Sequence, residues 1–108
     1  MFTRISELSI RPDKREEFLS LIHNELVNML QKQSGFVDVT LLVSDTDQTR
    51  AVAQSFWKSK DDAERFYNGP TFASFLNKGR ALLQSDPRVH TYTVDTSTFH
   101  RIARGKAA

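Results

Sequence analysis

The order in which the hydrophobic period changes along this chain constrains its fold more than any other feature. Residues 36–43 (FVDVTLLV) alternate with a period of two, as a β-strand does. A polar segment (SDTDQT) follows at residues 44–49, and residues 50–57 return as a second strand. The two strands are therefore predicted to form an antiparallel hairpin.

Helical periods flank this hairpin. Between residues 18 and 30, apolar side chains recur three and four positions apart, with Glu25 as the one polar member of the stripe. A second helical region follows residue 59, and further strands are predicted at residues 2–10 and 88–95. The resulting order, β-α-β-β-α-β, predicts an α+β, ferredoxin-like fold: a four-stranded antiparallel sheet with two helices on one face.

The segment at residues 56–63 (FWKSKDDA) joins a strand to a helix and carries the only tryptophan, Trp57. Ser59 can cap the helix through its hydroxyl group, and Asp62, three residues later, can complete a capping box at the positive end of the helix. A large indole is therefore predicted at the end of a strand, beside a helix N-terminus.

The other helix ends carry similar signals. Asp13 and Glu16 have the spacing of a capping box for the first helix, and Gly35 is a natural residue to follow its end. Gly69-Pro70 is predicted to bend the second helical region, with Thr71 as the cap of its second half.

Length and charge bound the domain organisation. The 108 residues are the length of one domain, which we expect to span residues 1–96. Residues 97–108 form a basic tail, expected to be flexible; the alternative is an arm for an acidic partner.

Composition argues against several classes of function. The chain has no cysteine, which excludes disulfides and thiolate chemistry, and its three histidines lack metal-ligand spacing. No Gly-rich phosphate loop is present, so a bound nucleotide cofactor is not expected. Taken together, these features predict neither a cofactor nor a metal. The charges are mixed and sum to +2, which argues against nucleic-acid binding. No signal peptide and no apolar run of about 20 residues is visible, so we expect a cytoplasmic protein without membrane contact.

The predicted sheet leaves one face without helices. That face would carry about half of the apolar strand residues, which is more than a small monomer normally exposes. An identical sheet related by a two-fold axis would cover it, so we predict a homodimer.

Three segments together resemble the antibiotic biosynthesis monooxygenase (ABM) family. They are residues 10–14 (IRPDK), residues 34–36 (SGF) at the start of the second strand, and residues 57–63 (WKSKDDA). The resemblance covers residues 2 to about 95 and implies that the predicted dimer is a dimeric α+β barrel. The family includes cofactor-independent monooxygenases that oxidise phenolic compounds to quinones, haem-degrading monooxygenases, and proteins of unknown role.

The haem-degrading branch matches this chain at Trp57 but not at its other positions. That branch has an asparagine in the first strand, where this chain has Ser6, and a haem-ligating histidine in the second helix. Here residues 72–78 read FASFLNK, without a histidine. The iron would lack an axial imidazole, so haem degradation ranks below the cofactor-free reaction.

Three side chains are the candidates for catalysis. Trp57 could stack on a planar substrate, or it could simply fill the gap between the sheet and the second helix. Tyr67 could hold a substrate oxygen, although a half-buried tyrosine at a helix end is the more common case. His90 shares a strand face with Tyr92 and could act as a base near neutral pH, although a surface histidine is the more common case.

The sequence therefore predicts a cofactor-independent monooxygenase. It would oxidise a small phenolic or other electron-rich aromatic compound with O2, using Trp57, Tyr67 and His90. The alternative is a non-catalytic dimeric module that binds a small hydrophobic ligand or serves a regulatory role. An open pocket with converging polar groups would favour the enzyme.

Overall fold

The strands form the predicted antiparallel sheet. The computed structural model describes residues 1–104 of the chain. Its four strands are β1 (Phe2–Ser9), β2 (Phe36–Val43), β3 (Arg50–Trp57) and β4 (Arg88–Thr93). Their order in the sheet is β2-β3-β1-β4, so β3 and β1 are central and β2 and β4 lie at the edges. The α+β, ferredoxin-like prediction is confirmed.

Three helices, rather than two, lie on one face of this sheet. Helix α1 spans residues 15–31 after a short 3-10 turn (Pro12–Lys14), and its central segment, Ile22–Leu26, is a π-helix. Helix α2 (Lys60–Tyr67) and helix α3 (Pro70–Arg80) are separate because the chain turns at Gly69-Pro70. Within residues 1–104, no helix is both long enough and apolar enough to cross a membrane.

Two of the predicted helix caps are wrong, and proline explains both. Pro12 and Pro70 each begin a helical segment, because the fixed φ of proline suits the first turn and its missing N–H is not needed there. The capping positions fall on Arg11 for the 3-10 turn, on Lys14 for α1 and on Gly69 for α3, and none of the three makes a side-chain cap bond. The predicted Ser59 cap is confirmed, since its Oγ accepts from the Asp62 N–H at 3.2 Å.

The register of the sheet separates two faces. Opposite Trp57 lie Phe2 on β1 and Phe36 on β2, so all three side chains point toward the helices. The core on this side is continuous from the strands to the helices. Its buried members are Leu8, Ile10, Phe18, Ile22, Leu26, Leu30, Ala51, Trp57, Ala63, Phe66, Phe72, Phe75, Leu82 and Leu83.

The other face, which we call the outer face, carries no helix. Leu42 on β2 and Tyr92 on β4 belong to it and are 52% and 55% exposed. Residues 97–102 form a turn that covers one end of this face. Two backbone hydrogen bonds between Ser97 and Ile102 close the turn. The His100 ring packs on Phe56, with the ring centroids 4.4 Å apart. Residues 105–108 of the predicted basic tail lie outside the described residues.

Candidate active site

A cavity lies between the sheet and the helices. It has a volume of about 180 Å³. Most of its walls are apolar and come from α1, α3, the segment that follows α3 and the helix-facing side of the strands: Leu8, Phe18, Ile22, Leu26, Leu30, Val39, Ala53, Phe72, Phe75, Leu76 and Leu83. Ile22 and Leu26 begin and end the π-helical segment of α1, so the widened turn of this helix lines the cavity.

Polar side chains also line this otherwise apolar space. Arg4 and Ser6 come from the helix-facing side of β1, and Ser55 lies opposite Arg4 on β3. Tyr67 joins them from the last residue of α2. These four residues define what we call the polar cluster, in which a guanidinium group, two hydroxyl groups and a phenol converge on one cavity.

A hydrogen-bonded chain orders part of the polar cluster. The Trp57 indole N–H donates to Ser55 Oγ at 2.9 Å, and Ser55 Oγ lies 2.7 Å from the Tyr67 hydroxyl oxygen. Because the indole can only donate, one lone pair of Ser55 Oγ is always taken. When Ser55 donates its own proton to Tyr67, the phenolic proton of Tyr67 is free for a ligand.

Trp57 itself does not reach the cavity. It is fully buried, and its ring packs against Phe36, Phe66 and Tyr67 at centroid distances of 5.6, 5.9 and 5.7 Å. Of the two roles that the sequence leaves open for Trp57, the structure supports the filling one. The indole holds Tyr67 in position in two ways: its ring packs against the Tyr67 ring, and its N–H binds Ser55, which in turn binds the Tyr67 hydroxyl group.

Arg4 lies over the face of Tyr67. Its guanidinium carbon is 3.8 Å from the centroid of the Tyr67 ring and 5.2 Å from that of Phe72. Burial lowers the pKa of Arg4, and the nearby Tyr67 opposes that shift. The site thus holds a partly desolvated cation against two aromatic rings.

The structure does not bring His90 together with Tyr67. His90 on β4 lies opposite Ile5 on β1, and both belong to the outer face of the sheet. The Nε2 atom of His90 lies 2.8 Å from Glu7 Oε2. Strand alternation directs His90 away from the cavity, so this candidate base does not lie beside Tyr67. His90 does share its face with Tyr92, as predicted.

Among residues 1–104, no imidazole lines the cavity and potential metal ligands do not cluster. His23, His90 and His100 are not among the residues that line the cavity. Within the described part of the chain, no three histidine, aspartate or glutamate side chains are grouped so that they could hold a metal ion.

The sequence analysis missed Arg4 and Ser55. A signal for Arg4 exists, because Arg4 and Ser6 have the same parity in β1 as Phe2 and Leu8, and a cation on the core-facing parity of a strand is unusual. Ser55 similarly shares the parity of Trp57. Only the register between β1 and β3 shows that Arg4 and Ser55 are neighbours.

Comparisons with known proteins give both a family and a fold. The profile of a family described as antibiotic biosynthesis monooxygenase matches residues 1–78. No curated protein matches the chain. Among solved structures, SnoaB, a cofactor-independent oxygenase from Streptomyces nogalater, is 22% identical, with coverage of 90% of this chain and 95% of that chain and a TM-score of 0.79.

Two other solved structures are similar. A protein from Nitrosomonas europaea, provisionally named as an antibiotic biosynthesis monooxygenase, is 19% identical, with 87% of this chain and 98% of that chain covered and a TM-score of 0.77. A conserved protein from Methanosarcina mazei Go1 is 15% identical, with 84% and 89% covered and a TM-score of 0.77. At these identities the structural likeness concerns the fold.

Proposed function

Because the chain belongs to the antibiotic biosynthesis monooxygenase family, we propose that it is a monooxygenase that oxidises a small phenol, or another electron-rich aromatic compound, with O2. The observation that carries the proposal is the cavity, whose apolar walls suit an aromatic ring and whose polar cluster suits the ring's oxygen.

The proposed reaction needs no reductant other than the substrate. A phenol with an unsubstituted ring position reacts with one O2: one oxygen atom becomes the second carbonyl of a quinone, and the other leaves as water. The four electrons that O2 takes up all come from the phenol, so phenol plus O2 balances with quinone plus water. The proposed reaction therefore requires no cofactor.

We assign Tyr67 as the residue that contacts the substrate. It lines the cavity, and its hydroxyl group can donate to a substrate oxygen when it accepts from Ser55. Trp57 is a positioning residue, because it acts on Tyr67 through Ser55 and through ring packing. The apolar side chains of α1 and α3 exclude water, which strengthens polar interactions inside the cavity.

Haem does not fit the residues present. Helix α3 presents Phe72 and Phe75 to the cavity rather than an imidazole, and Ser6 lines the cavity where the haem-degrading branch has an asparagine. The competing function is a module that binds an aromatic ligand without reaction, and the observation that favours it is the absence of an imidazole base from the cavity lining.

Oxygen uptake by the chelator-treated protein tests the proposal. Single-ring phenols with an unsubstituted ring position are supplied under 18O2, and we expect protein-dependent oxygen consumption with one labelled oxygen atom in the quinone. Tyr67→Phe should lower the rate by about 10-fold or more. Tyr92→Phe, which alters a tyrosine on the outer face, is the matched control and should leave the rate unchanged.

Two outcomes would count against this function. If no phenol consumes oxygen in the presence of the protein, yet aromatic ligands still bind, the chain is a binding module. If oxygen is consumed equally by the protein and by Tyr67→Phe, the assignment of Tyr67 is wrong.

We also propose that two copies pair through their outer faces. The exposed Leu42 and Tyr92 support this arrangement, since they lie at the two edge strands of one otherwise half-buried surface. In such a dimer, His90 and its partner Glu7 would lie at the interface rather than at the cavity.

A further inference from the structure

We infer that Arg4 is an anion-binding residue. The cavity would bind a single-ring aromatic phenolate or carboxylate, with the anionic oxygen of the ligand hydrogen-bonded to the Arg4 guanidinium group. This inference rests on the proposed function in one respect, because it uses the same cavity as the substrate site.

The position of Arg4 is fixed by its neighbours. It lies between β3 and β4 on the central strand β1, and its guanidinium group stacks on the ring of Tyr67 at 3.8 Å. Phe72, 5.2 Å away, limits movement on the α3 side. A planar cation held against aromatic faces keeps its N–H edges available for two hydrogen bonds to one anion.

Arg4 has no acidic partner among residues 1–104. No carboxylate of the described residues lies within ion-pair distance of it, and its guanidinium group contacts the ring of Tyr67 instead. Arg80, by contrast, binds Asp86 at 3.2 Å and Asn77 at 3.3 Å. In this part of the chain, His100 Nε2 is the one side-chain nitrogen or oxygen atom that is fully buried and has no hydrogen-bond partner. The Arg4 nitrogens do not belong to this class, so they remain accessible to a ligand.

This arrangement is costly to the folded protein. Arginine stays protonated, and moving its charge out of water without a carboxylate is unfavourable, which agrees with the lowered pKa of Arg4. Uncompensated charges of this kind occur at functional sites, where the ligand supplies the missing partner. An anion in the cavity would supply it here.

Charges elsewhere in the cavity lining do not oppose an anion. The charged lining residues are Arg4, Arg80 and Asp86. The one carboxylate among them, Asp86, is paired with Arg80. The charge left for a ligand is therefore the positive charge of Arg4.

The size of the cavity limits the ligand to one ring. An apolar cavity of about 150 Å³ holds a benzene molecule, and this cavity measures about 180 Å³. A benzene ring with one or two small substituents fits that space, whereas a fused polycyclic compound exceeds the cavity volume.

Arg4 would also determine specificity in the proposed reaction. A cation beside a bound phenol favours the phenolate, and the phenolate is the form that releases an electron to O2 most readily. Arg4 would thus select anionic over neutral aromatics, without itself exchanging a proton.

Binding of 4-nitrophenol tests the inference directly, because its phenolate absorbs visible light and its neutral form does not. At a pH at which free 4-nitrophenol is partly protonated, we expect binding to increase the visible band. Arg4→Gln should weaken binding about 10- to 100-fold and abolish the increase. Arg4→Lys should retain part of both effects, and Arg15→Gln, which alters a paired arginine outside the cavity lining, should retain both.

Benzoate and its neutral counterpart benzamide form a second arm, measured by calorimetry. Preference for benzoate that disappears in Arg4→Gln supports the inference and extends it to carboxylates. Equal affinity for benzoate and benzamide, together with no change in the 4-nitrophenol band, would overturn it. Melting curves accompany each variant, and Arg4→Met should unfold at a temperature no lower than the wild-type protein, since it removes a charge that has no acidic partner.

The two proposals fail separately. Arg4-dependent binding of 4-nitrophenolate without oxygen uptake from any phenol would contradict the monooxygenase and leave the anion site in place. Oxygen uptake that is unchanged in Arg4→Gln, with no preference for anions, would contradict the anion site and leave the monooxygenase in place.

Discussion

At the scale of single residues, the helix-facing side of the sheet carries polar groups within an apolar interior. Ser55 is 3% exposed and Ser6 is 9% exposed, so each hydroxyl group is committed to the cavity or to a neighbour. Buried hydroxyl groups are costly unless they are hydrogen-bonded. Ser55 meets this condition because Trp57 and Tyr67 both bind its Oγ, which makes the serine the link between core and cavity.

Replacing Trp57 tests this link. Trp57→Phe removes both core volume and the N–H that binds Ser55, so we expect it to lower the free energy of unfolding by about 1–3 kcal/mol. Denaturant unfolding gives this difference. A change below about 0.5 kcal/mol would show that the core closes around the smaller ring and that the hydrogen bond to Ser55 contributes little.

Gly35 is the residue at which backbone conformation matters most. Its φ of +80° lies in the left-handed region, and a Cβ there would collide with the side chain of Asp62. Gly35→Ala should therefore destabilise the protein by about 1–2 kcal/mol or more. Gly79→Ala is the control, because a Cβ at Gly79 meets only Phe18 at 3.8 Å and should stabilise helix α3 by about 0.5–1 kcal/mol.

The Glu7–His90 pair gives the fold a dependence on acid pH. The hydrogen bond from His90 holds the pKa of Glu7 below its usual range, with smaller contributions from nearby arginines. The folded state therefore favours the ionised form. Its stabilising contribution is present above the pKa of Glu7 in the unfolded chain and is lost as the pH falls through the lower folded value.

We therefore expect Glu7→Gln to lower the denaturation midpoint at about pH 7 and to match the unmodified protein at about pH 3. In a His90→Asn background, the difference at neutral pH should shrink. A difference that is the same at both pH values would show that ionisation of Glu7 does not contribute to folding.

At the scale of elements, the helix starts show how one residue type can override another. Asp13 and Thr71 have the chemistry of caps, but the adjacent Pro12 and Pro70 set where each helical segment begins. Ser59 has no such neighbour, and its helix starts at Lys60 as the cap requires. The two halves of the predicted second helical region are separate helices for the same reason.

Ser59→Ala should consequently destabilise helix α2. The variant loses the bond from the Asp62 N–H and the contact of Ser59 Oγ with Asp62 Oδ2 at 2.8 Å, with an expected loss of about 1 kcal/mol in the free energy of unfolding. Thr71→Ala is the control: Thr71 is exposed and does not cap α3, so we expect a change within about 0.5 kcal/mol. Equal losses in both variants would contradict the observed helix starts.

At the scale of the whole molecule, the two faces of the sheet have different tasks. The helix-facing side forms the core and the cavity, whereas the outer face exposes Leu42, Tyr92 and, on the turn beside it, Phe99, which is 81% exposed. Small monomers seldom leave such a surface to water. A second copy can cover it by two-fold symmetry.

Charge on the outer face tests the predicted homodimer. The unmodified protein should have twice the mass of one chain by light scattering, and Leu42→Glu combined with Tyr92→Glu should halve that mass without loss of folding, since both side chains are exposed in one protomer. Ser20→Glu, on an exposed position of helix α1, should keep the dimer. A wild-type mass of about 12 kDa at all concentrations would contradict the prediction.

The fold could be predicted largely from the sequence, whereas the candidate site could be predicted only in part. The periods of residues 36–43 and 50–57 gave strand bounds that the structure confirms, because alternation is a local consequence of strand geometry. Tyr67 was a candidate from its place beside Gly69-Pro70, and it lines the cavity. His90 was a candidate base, and the structure places it on the outer face, away from the cavity. The residues of one strand show which of them share a face but not which face meets the helices.

The sequence by itself determined the order of elements, the Ser59 cap and the family, because each depends on residues that are close along the chain. Only the tertiary structure decided that Trp57 is a buried support and that Arg4 and Tyr67 stack over one cavity. The physical reason is register: pairing of β1 with β3 places residue 4 opposite residue 55, and no local period specifies which residue of a distant strand becomes a neighbour.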